Sequence, residues 1–477
     1  MARALHPRRA RAAAHRQSPE GRGGRRQATP DQLFVTSFAA LIAAGTAALA
    51  LVPGTTHGAP LTWIDALFTA TSAVCVTGLV VVDTATVLTP LGQGIVLVLI
   101  QPGGLGMITF TSMIILALGR RLSLRQEAAA VSAPKGTPEV GRRRLVRDIV
   151  LFTLVIEAVA AVVLTAAWAP RFGVGAALWH AVFHAVSAFC NAGFSTFSDS
   201  LAGFRDAPLV LGVTMLLIVG GGLGFLTLEE LWQHGLRRTS PRLRLTLHSR
   251  LVLWTTGSLL LAGWMAFALF EWDRTLAPLA PAGRLMNALF MSVTARTAGF
   301  NTVDYALTAE STNFLTVLLM TVGGSPGSTA GGLKVTTFAL IGLLAWSRFR
   351  GREVVSLGGR SVRDETVQRA VGLAVAYATV AAAGVFCFVT IEQSTPLRPE
   401  LGSHRFLSHL FEVVSAFNTV GLSMGVTGGL TSSGKVLLVI LMFVGRVGPL
   451  TFAAALARRR RTGPGRFRWA YEDVVVG

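Results

Sequence analysis

Four segments of this chain repeat one local pattern, an apolar stretch that runs into a glycine: Trp63 to Gly78, Trp179 to Gly193, Leu285 to Gly299 and Phe406 to Gly421. They read LFTATSAVCVTGL, VFHAVSAFCNAGF, LFMSVTARTAGF and LFEVVSAFNTVGL. A phenylalanine (Phe68, Phe183, Phe290, Phe411) stands ten residues before the glycine, or nine in the third copy. The glycines are 115, 106 and 122 residues apart, much longer than a solenoid, coiled-coil or collagen period. Each copy therefore belongs to a unit of several helices, and together the copies outline a pore built four times over.

The solvent for these units is a bilayer. Hydrophobic residues make up 52% of the chain and charged residues only 14%, against about 25% charged in soluble proteins. Leu33 to Val52, Ile149 to Trp168, Leu251 to Phe270 and Ala370 to Ile391 are nearly uncharged, and each is long enough to cross roughly 30 Å of hydrocarbon as a helix. A second apolar segment follows every glycine: Leu91 to Leu118, Leu209 to Leu228, Phe314 to Trp346 and Val436 to Leu456. The segments leading into the glycines are too short to span, so they read as re-entrant half-helices followed by extended backbone. The expected fold is an all-α integral membrane protein of four tandem helix, pore loop, helix repeats, with eight transmembrane helices around one pseudo-fourfold pore. The repeats fall at 32–120, 146–237, 247–348 and 366–457, between a basic tail at 1–31 and a C-terminal tail at 458–477.

A net charge of +19 raises the question of nucleic acid, and the location of the charge answers it. Of 43 Lys and Arg, all but ten fall in residues 1–31, 120–147, 237–250, 348–369 and 458–477. The other connections hold Arg171, Arg205, Arg274, Arg284, Arg398, Arg405 and Lys435 beside several aspartates. By the positive-inside bias both termini are expected in the cytoplasm of a multi-pass protein, with no nucleic-acid partner. The Arg-rich opening lacks an apolar face, and a disordered cytoplasmic tail is favoured over a transit peptide. Cys75, Cys190 and Cys387 all lie in apolar segments and make no disulfide framework.

Non-helical backbone survives at membrane depth only where it is buried in protein or lines an aqueous path. Glycine permits the close approach and unusual dihedrals such a path needs. Val76, Thr77 and Gly78; Asn191, Ala192 and Gly193; Thr297, Ala298 and Gly299; and Thr419, Val420 and Gly421 are therefore the candidate strands of a carbonyl filter for a monovalent cation. The half-helix C-termini add partial negative charge. One such glycine alone reads as a packing contact between helices; four at matched positions favour the pore.

The second helices repeat GGLGMIT (Gly103 to Thr109), GGLGFLT (Gly221 to Thr227) and GRVGPLT (Gly445 to Thr451), with GGLKVTT (Gly331 to Thr337) as a looser copy. Arg446 and Lys334 put charge into that pattern, and ionisable groups in a membrane usually face a bundle interior or aqueous cavity. Arg446 is expected to act as a cation barrier in the path, the alternative being a contact with a helix C-terminus or with Glu157 or Glu229. The third repeat carries an interruption, Gly323, Gly324, Ser325, Pro326, Gly327, Ser328, Thr329, Ala330, Gly331 and Gly332, expected as a gate below the filter together with Lys334 and Arg446. No strand precedes it, which sets aside a phosphate-binding loop. His180 and His184 stand one turn apart without a third ligand, a thin metal site, so potassium at the filter is the only expected metal. No catalytic constellation is present, and an enzyme is not expected.

On SVTARTAGFNT (Ser292 to Thr302), SAFNTVGLS (Ser415 to Ser423), the Gly323 to Lys334 loop and the terminal EDVVVG, the chain resembles the Trk/Ktr/HKT superfamily of potassium transporters. It is most similar to the membrane subunit of bacterial Ktr-type systems, and the likeness runs from about residue 32 to 477. The extra amino-terminal helix pair of Trk-type relatives is expected to be absent. The resemblance implies potassium uptake or symport across a bacterial plasma membrane, a filter with one glycine per repeat at Gly78, Gly193, Gly299 and Gly421, an intramembrane gating loop at 323–332 and a pore-facing Arg446. It also implies a homodimer among membrane lipids, one pore per protomer, on a cytoplasmic nucleotide-binding regulatory ring. No cofactor resides in the chain; potassium is the transported ion and sodium a candidate activating or coupled one. Gly78, where some sodium-favouring plant relatives have Ser, points to potassium. The competing reading is an ion-coupled secondary transporter of another monovalent cation, with a site made by broken helices.

Overall fold

The computed structural model describes residues 30–117, 138–236, 245–352, 354–357, 360–393, 395, 401 and 404–448. The basic tails, the connections at 118–137 and 237–244, the Pro449 to Thr451 end of the fourth glycine motif and the terminal EDVVVG lie outside them, and with them most of the charge on which the expected orientation rests.

The four first helices appear where the uncharged runs place them: α1 (Pro30–Leu51), α4 (Pro138–Phe172), α8 (Leu247–Glu271) and α12 (Asp364–Ile391). The short segments before the glycines form α2 (Trp63–Val74), α5 (Val174–Phe189), α9 (Pro281–Thr294) and α13 (Arg405–Phe417), of 12, 16, 14 and 13 residues. At 1.5 Å per residue these reach about 18–24 Å, short of a crossing of about 30 Å. Each stops at the extended strand, and the C-terminal half of each is almost entirely buried.

The second helices differ from one another. α3 (Pro90–Ala117) runs through its glycine motif with Pro102 inside it. α6 (Pro208–Leu223) stops at Gly224, φ +81°, and α7 (Phe225–Leu236) leaves at 108°. α10 (Glu310–Thr321) and α11 (Val335–Phe349) are separated by the glycine-rich loop. α14 (Ser432–Val447) ends at Gly448, φ +91°. A two-residue hairpin, β1 (Ser356–Leu357) with β2 (Arg360–Ser361), precedes α12.

Five helices among the described residues are long and apolar enough to cross a membrane, six if the bent pair is one span. That is fewer than the eight expected. The shortfall lies in the third and fourth repeats: α10 and α11 are cut apart by the loop, and α14 runs for 16 residues.

Fully buried acids tie helix ends together. Glu271, at the end of α8, accepts from the Ala309 N–H (2.9 Å) and the Thr312 hydroxyl (2.5 Å) at the start of α10. Glu392, just past α12, accepts from the N–H (3.1 Å) and hydroxyl (2.6 Å) of Thr431, the N-cap of α14, and from the Thr395 hydroxyl. A carboxylate thus meets the unpaired N–H groups and positive end of the next helix. Removing either acid strands buried donors, so Glu271→Ala and Glu392→Ala are each expected to destabilise the protein by about 1–3 kcal/mol. The readout is melting in detergent; unchanged melting temperatures would remove the assigned role.

Candidate ion pathway

The four strands share an unusual backbone. Val76, Asn191, Thr297 and Thr419 have φ of +55°, +58°, +65° and +50°, and Gly78, Gly193, Gly299 and Gly421, two residues on, have +88°, +70°, +82° and +93°. Three of those four non-glycines are β-branched, for which left-handed backbone is a true outlier. Such strain persists only where the surroundings impose it, and it clusters at functional sites.

The surroundings here are the ends of the half-helices. Thr77 N–H donates to Ser72 O, Ala192 N–H to Ser187 O and Val420 N–H to Ser415 O, at 2.7–2.8 Å and across five residues. In the third copy Ala298 N–H donates to Thr294 O across four residues, at 3.0 Å. The missing residue of the third copy is therefore lost in this closing turn, and the strand still leaves its helix with the same dihedrals. The side chains complete the clamp. Ser72 and Ser415 hydroxyls accept from the N–H of Gly78 and Gly421 respectively (3.1 Å), while Ser187 and Thr294 donate to Phe194 O and Phe300 O (2.7 and 2.5 Å).

The glycines meet in a closed ring. A Cβ placed on Gly78 would press on Ala192 O and lie 3.0 Å from the Gly193 Cα. On Gly193 it would meet Ala298 O at 2.8 Å, on Gly299 Val420 O at 2.5 Å, and on Gly421 it would press on Thr77 O. The contacts run first to second, second to third, third to fourth and fourth back to first. An ion pair on the rim spans the same closing joint: Lys435 of α14 lies 2.7 Å from Asp65 of α2. Around the ring the hydroxyls of Thr77, Thr297 and Thr419 are buried without a hydrogen-bond partner among the described residues.

Beneath the ring lies the loop from Gly323 to Gly332. Its neck is closed by Gly323 N–H to Leu333 O (2.9 Å) and Leu333 N–H to Thr321 O (3.2 Å). The broken helix of the second repeat receives it: Ser325 and Thr329 N–H groups donate to Gly222 O and Gly221 O (2.9 and 3.2 Å), and Phe225 N–H donates to Gly327 O (3.0 Å). The backbone groups freed by the break at Gly224 are thus satisfied by the loop, as membrane depth requires. Thr329 Oγ1 donates to Phe189 O at the end of α5 (3.2 Å). A Cβ on Gly331 would fall against Thr419 Oγ1 and 2.7 Å from Asn418 O, so the loop sits directly against the fourth strand.

Three cations hold it. Arg446, with no exposed surface, donates from Nη1 to Thr329 O and from Nη2 to Gly103 O at 2.9 Å. Lys334 Nζ donates to Ala330 O (2.6 Å), and Arg296 Nη2 donates to Gly323 O (2.6 Å). The partners of Arg446 are carbonyls rather than Glu157 or Glu229; Glu157 instead accepts from Gln101 Nε2 (3.0 Å). Arg296, one residue past the α9 C-cap, was not legible as a loop contact, because the equivalent positions carry Cys75, Cys190 and Asn418.

His180 and His184 do not converge on a common centre. His180 Nδ1 faces Thr196 Oγ1 (2.6 Å), and His184 bonds His180 O (2.7 Å) and Ser195 Oγ (3.0 Å). Among the described residues no three His, Cys, Asp or Glu are grouped as for a metal.

Residues 22–460 match the family model of TrkH, a cation transport protein. The chain is 36% identical to Ktr system potassium uptake protein B of Vibrio alginolyticus over 461 residues, covering 96% of this chain and 97% of that protein. It is 37% identical to the Bacillus subtilis (strain 168) protein of the same name over 453 residues, with 94% and 97% coverage. It is 35% identical to potassium/sodium uptake protein NtpJ of Enterococcus hirae, with 95% and 98% coverage. In fold it is similar to the crystal structure of the potassium transporter TrkH from Vibrio parahaemolyticus, with a TM-score of 0.72 at 20% identity over 92% of this chain and 87% of that one.

Proposed function

Because this chain belongs to the TrkH family of cation transport proteins, transporters rather than enzymes, we propose that it takes up potassium through one pore per chain whose selectivity filter is the ring of Gly78, Gly193, Gly299 and Gly421. The observation that carries this reading is the closed sequence of glycine-to-carbonyl contacts around the ring. Four strands held that close exclude side chains and leave backbone oxygens and the free hydroxyls of Thr77, Thr297 and Thr419 as the groups able to replace an ion's hydration shell. The C-termini of α2, α5, α9 and α13 aim partial negative charge at the same place and favour a cation there. Relatives named for potassium uptake, and one for potassium and sodium, support the choice of ion.

The loop at 323–332 is the gate. It lies against the fourth strand and is held by Arg446, Lys334 and Arg296, so withdrawal requires breaking those contacts. Arg446 also sets a positive charge beside the path, a barrier to cations while the loop is in place. In the bacterial plasma membrane, with both termini cytoplasmic, the protein works as a homodimer of four-repeat chains on a cytoplasmic nucleotide-binding regulatory ring, with sodium as an activating or coupled ion.

The test is rubidium and sodium flux into liposomes holding the purified protein, with and without the regulatory subunit. Wild type is expected to carry rubidium in preference to sodium, and Gly299→Ser to lose that preference. Equal flux of sodium and potassium by the wild type would defeat the filter assignment, and tightly coupled flux of another monovalent cation in preference to potassium would return the secondary-transporter reading.

A further inference from the structure

The residue immediately after the repeated phenylalanine differs in each half-helix: Thr69, His184, Met291 and Glu412. In the second and fourth copies this residue reaches the loop beyond the filter at one equivalent place. His184 Nδ1 donates to His180 O, which can only accept, and its Nε2 faces Ser195 Oγ at 3.0 Å. Glu412 Oε1 accepts from the Ser423 hydroxyl (2.5 Å) and the Met424 N–H (3.1 Å), and Oε2 accepts from the Thr427 hydroxyl (2.7 Å).

Ser195 and Ser423 each stand two residues past their filter glycine, and each hydroxyl accepts from the N–H two residues further on, Phe197 at 3.0 Å and Gly425 at 2.8 Å. Both struts are deeply buried, His184 at 1% exposure and Glu412 at 0%. His184 is also packed between Trp168 and Phe197, with ring centroids 5.1 and 5.0 Å away. The first and third copies have no such strut. The Thr69 hydroxyl is buried without a partner among the described residues, Met291 is apolar, and the matching loop positions are Val80 and Asn301.

The ring order first, second, third, fourth puts the second and fourth strands opposite one another. We propose that His184 and Glu412 are positioning residues for the filter, a diagonal pair of polar struts that fix the outer ends of two opposing strands and so set the preference among monovalent cations. The inference rests on reading the four strands as the filter. A buried hydrogen bond to a loop serine holds backbone oxygens at a spacing suited to one ion size, and specificity is the difference in fit between two ions.

The experiment compares rubidium and sodium transport in liposomes for wild type, Glu412→Gln, His184→Phe, Ser423→Ala, Thr69→Val and Met291→Leu, recording KM and maximal rate separately and checking fold by melting in detergent. Glu412→Gln and His184→Phe are each expected to raise KM for rubidium and cut rubidium over sodium preference by about tenfold with the maximal rate little changed, whereas Thr69→Val and Met291→Leu keep the wild-type preference. Ser423→Ala removes one of these contacts from the loop side, and is expected to shift the preference in the same direction as Glu412→Gln, with less than the summed effect in the double variant; it keeps the proposal testable if Glu412→Gln does not fold. Unchanged preference in folded Glu412→Gln or Ser423→Ala, or an equal loss in all four half-helix variants, overturns the proposal. Unselective wild-type flux overturns the filter reading itself, and is distinguished because it is seen before any substitution.

Discussion

Arg446→Gln is expected to raise resting rubidium uptake by about tenfold or more in cells lacking their own potassium importers, since each 1.4 kcal/mol is a factor of ten. In the wild type the guanidinium bridges Thr329 O in the loop and Gly103 O in α3. Hydrogen bonds from a charged group contribute about 1.5–3 kcal/mol each, and withdrawal of the loop has to break the one to Thr329. Glutamine offers one short neutral amide in place of a forked cation, and it removes the positive charge beside the path. Both changes act in the same direction. An increase in the same direction is expected for Arg296→Gln, which loses its loop contact to Gly323 O. If Arg446→Gln folds, reaches the membrane and leaves uptake at the wild-type level, the loop is not held shut by this residue.

Gly421→Ala is expected to lower selective rubidium uptake by about a hundredfold or more, taking about 1–2 kcal/mol for a side chain in left-handed backbone and about 1–3 kcal/mol for overpacking. Gly421 has φ +93°, and the added Cβ would strike Thr77 O and come 3.0 Å from the Gly78 Cα. The first strand has little room to retreat, because Ser72 and its own closing turn hold it. Uptake measured with sodium as competitor separates a blocked ring from a widened one. Gly428 serves as the control: nothing lies within 4 Å of a Cβ there, and Gly428→Ala is expected to transport as wild type. Equal transport by Gly421→Ala and Gly428→Ala would mean that ions do not pass the ring.

The first helices were legible because each is an uninterrupted apolar run of bilayer length, a property of the chain that no neighbour has to supply. The half-helices and their glycines were legible because the pattern recurs, and their strained dihedrals recur even though the third copy closes its turn with one residue fewer. The break at Gly224 was not legible. Residues 103–106 and 221–224 both read GGLG, yet the first continues as helix and the second bends. The difference lies in the loop of the third repeat, which supplies N–H groups for the carbonyls of Gly221 and Gly222.

Arg446 was legible as a charge out of place, but its partners were not, since carbonyls at Thr329 and Gly103 carry no signature in composition. Glu271 and Glu392 left a faint one, an acid at the end of a spanning run with a threonine at the start of the next helix, Thr312 and Thr431. Glu412 left less, as a single acid inside an apolar half-helix whose partners lie beyond the glycine.

The joint between Gly421 and Thr77 has a consequence for synthesis. Three of the four ring contacts form between units made one after the other, but this one joins residues 344 positions apart. A nascent chain halted after its third unit holds three strands and a gap, with no complete set of oxygens to strip water from an ion. On the filter reading, a chain that stops there would lack a closed ion path, and the ring closes only when the last quarter of the protein has been made.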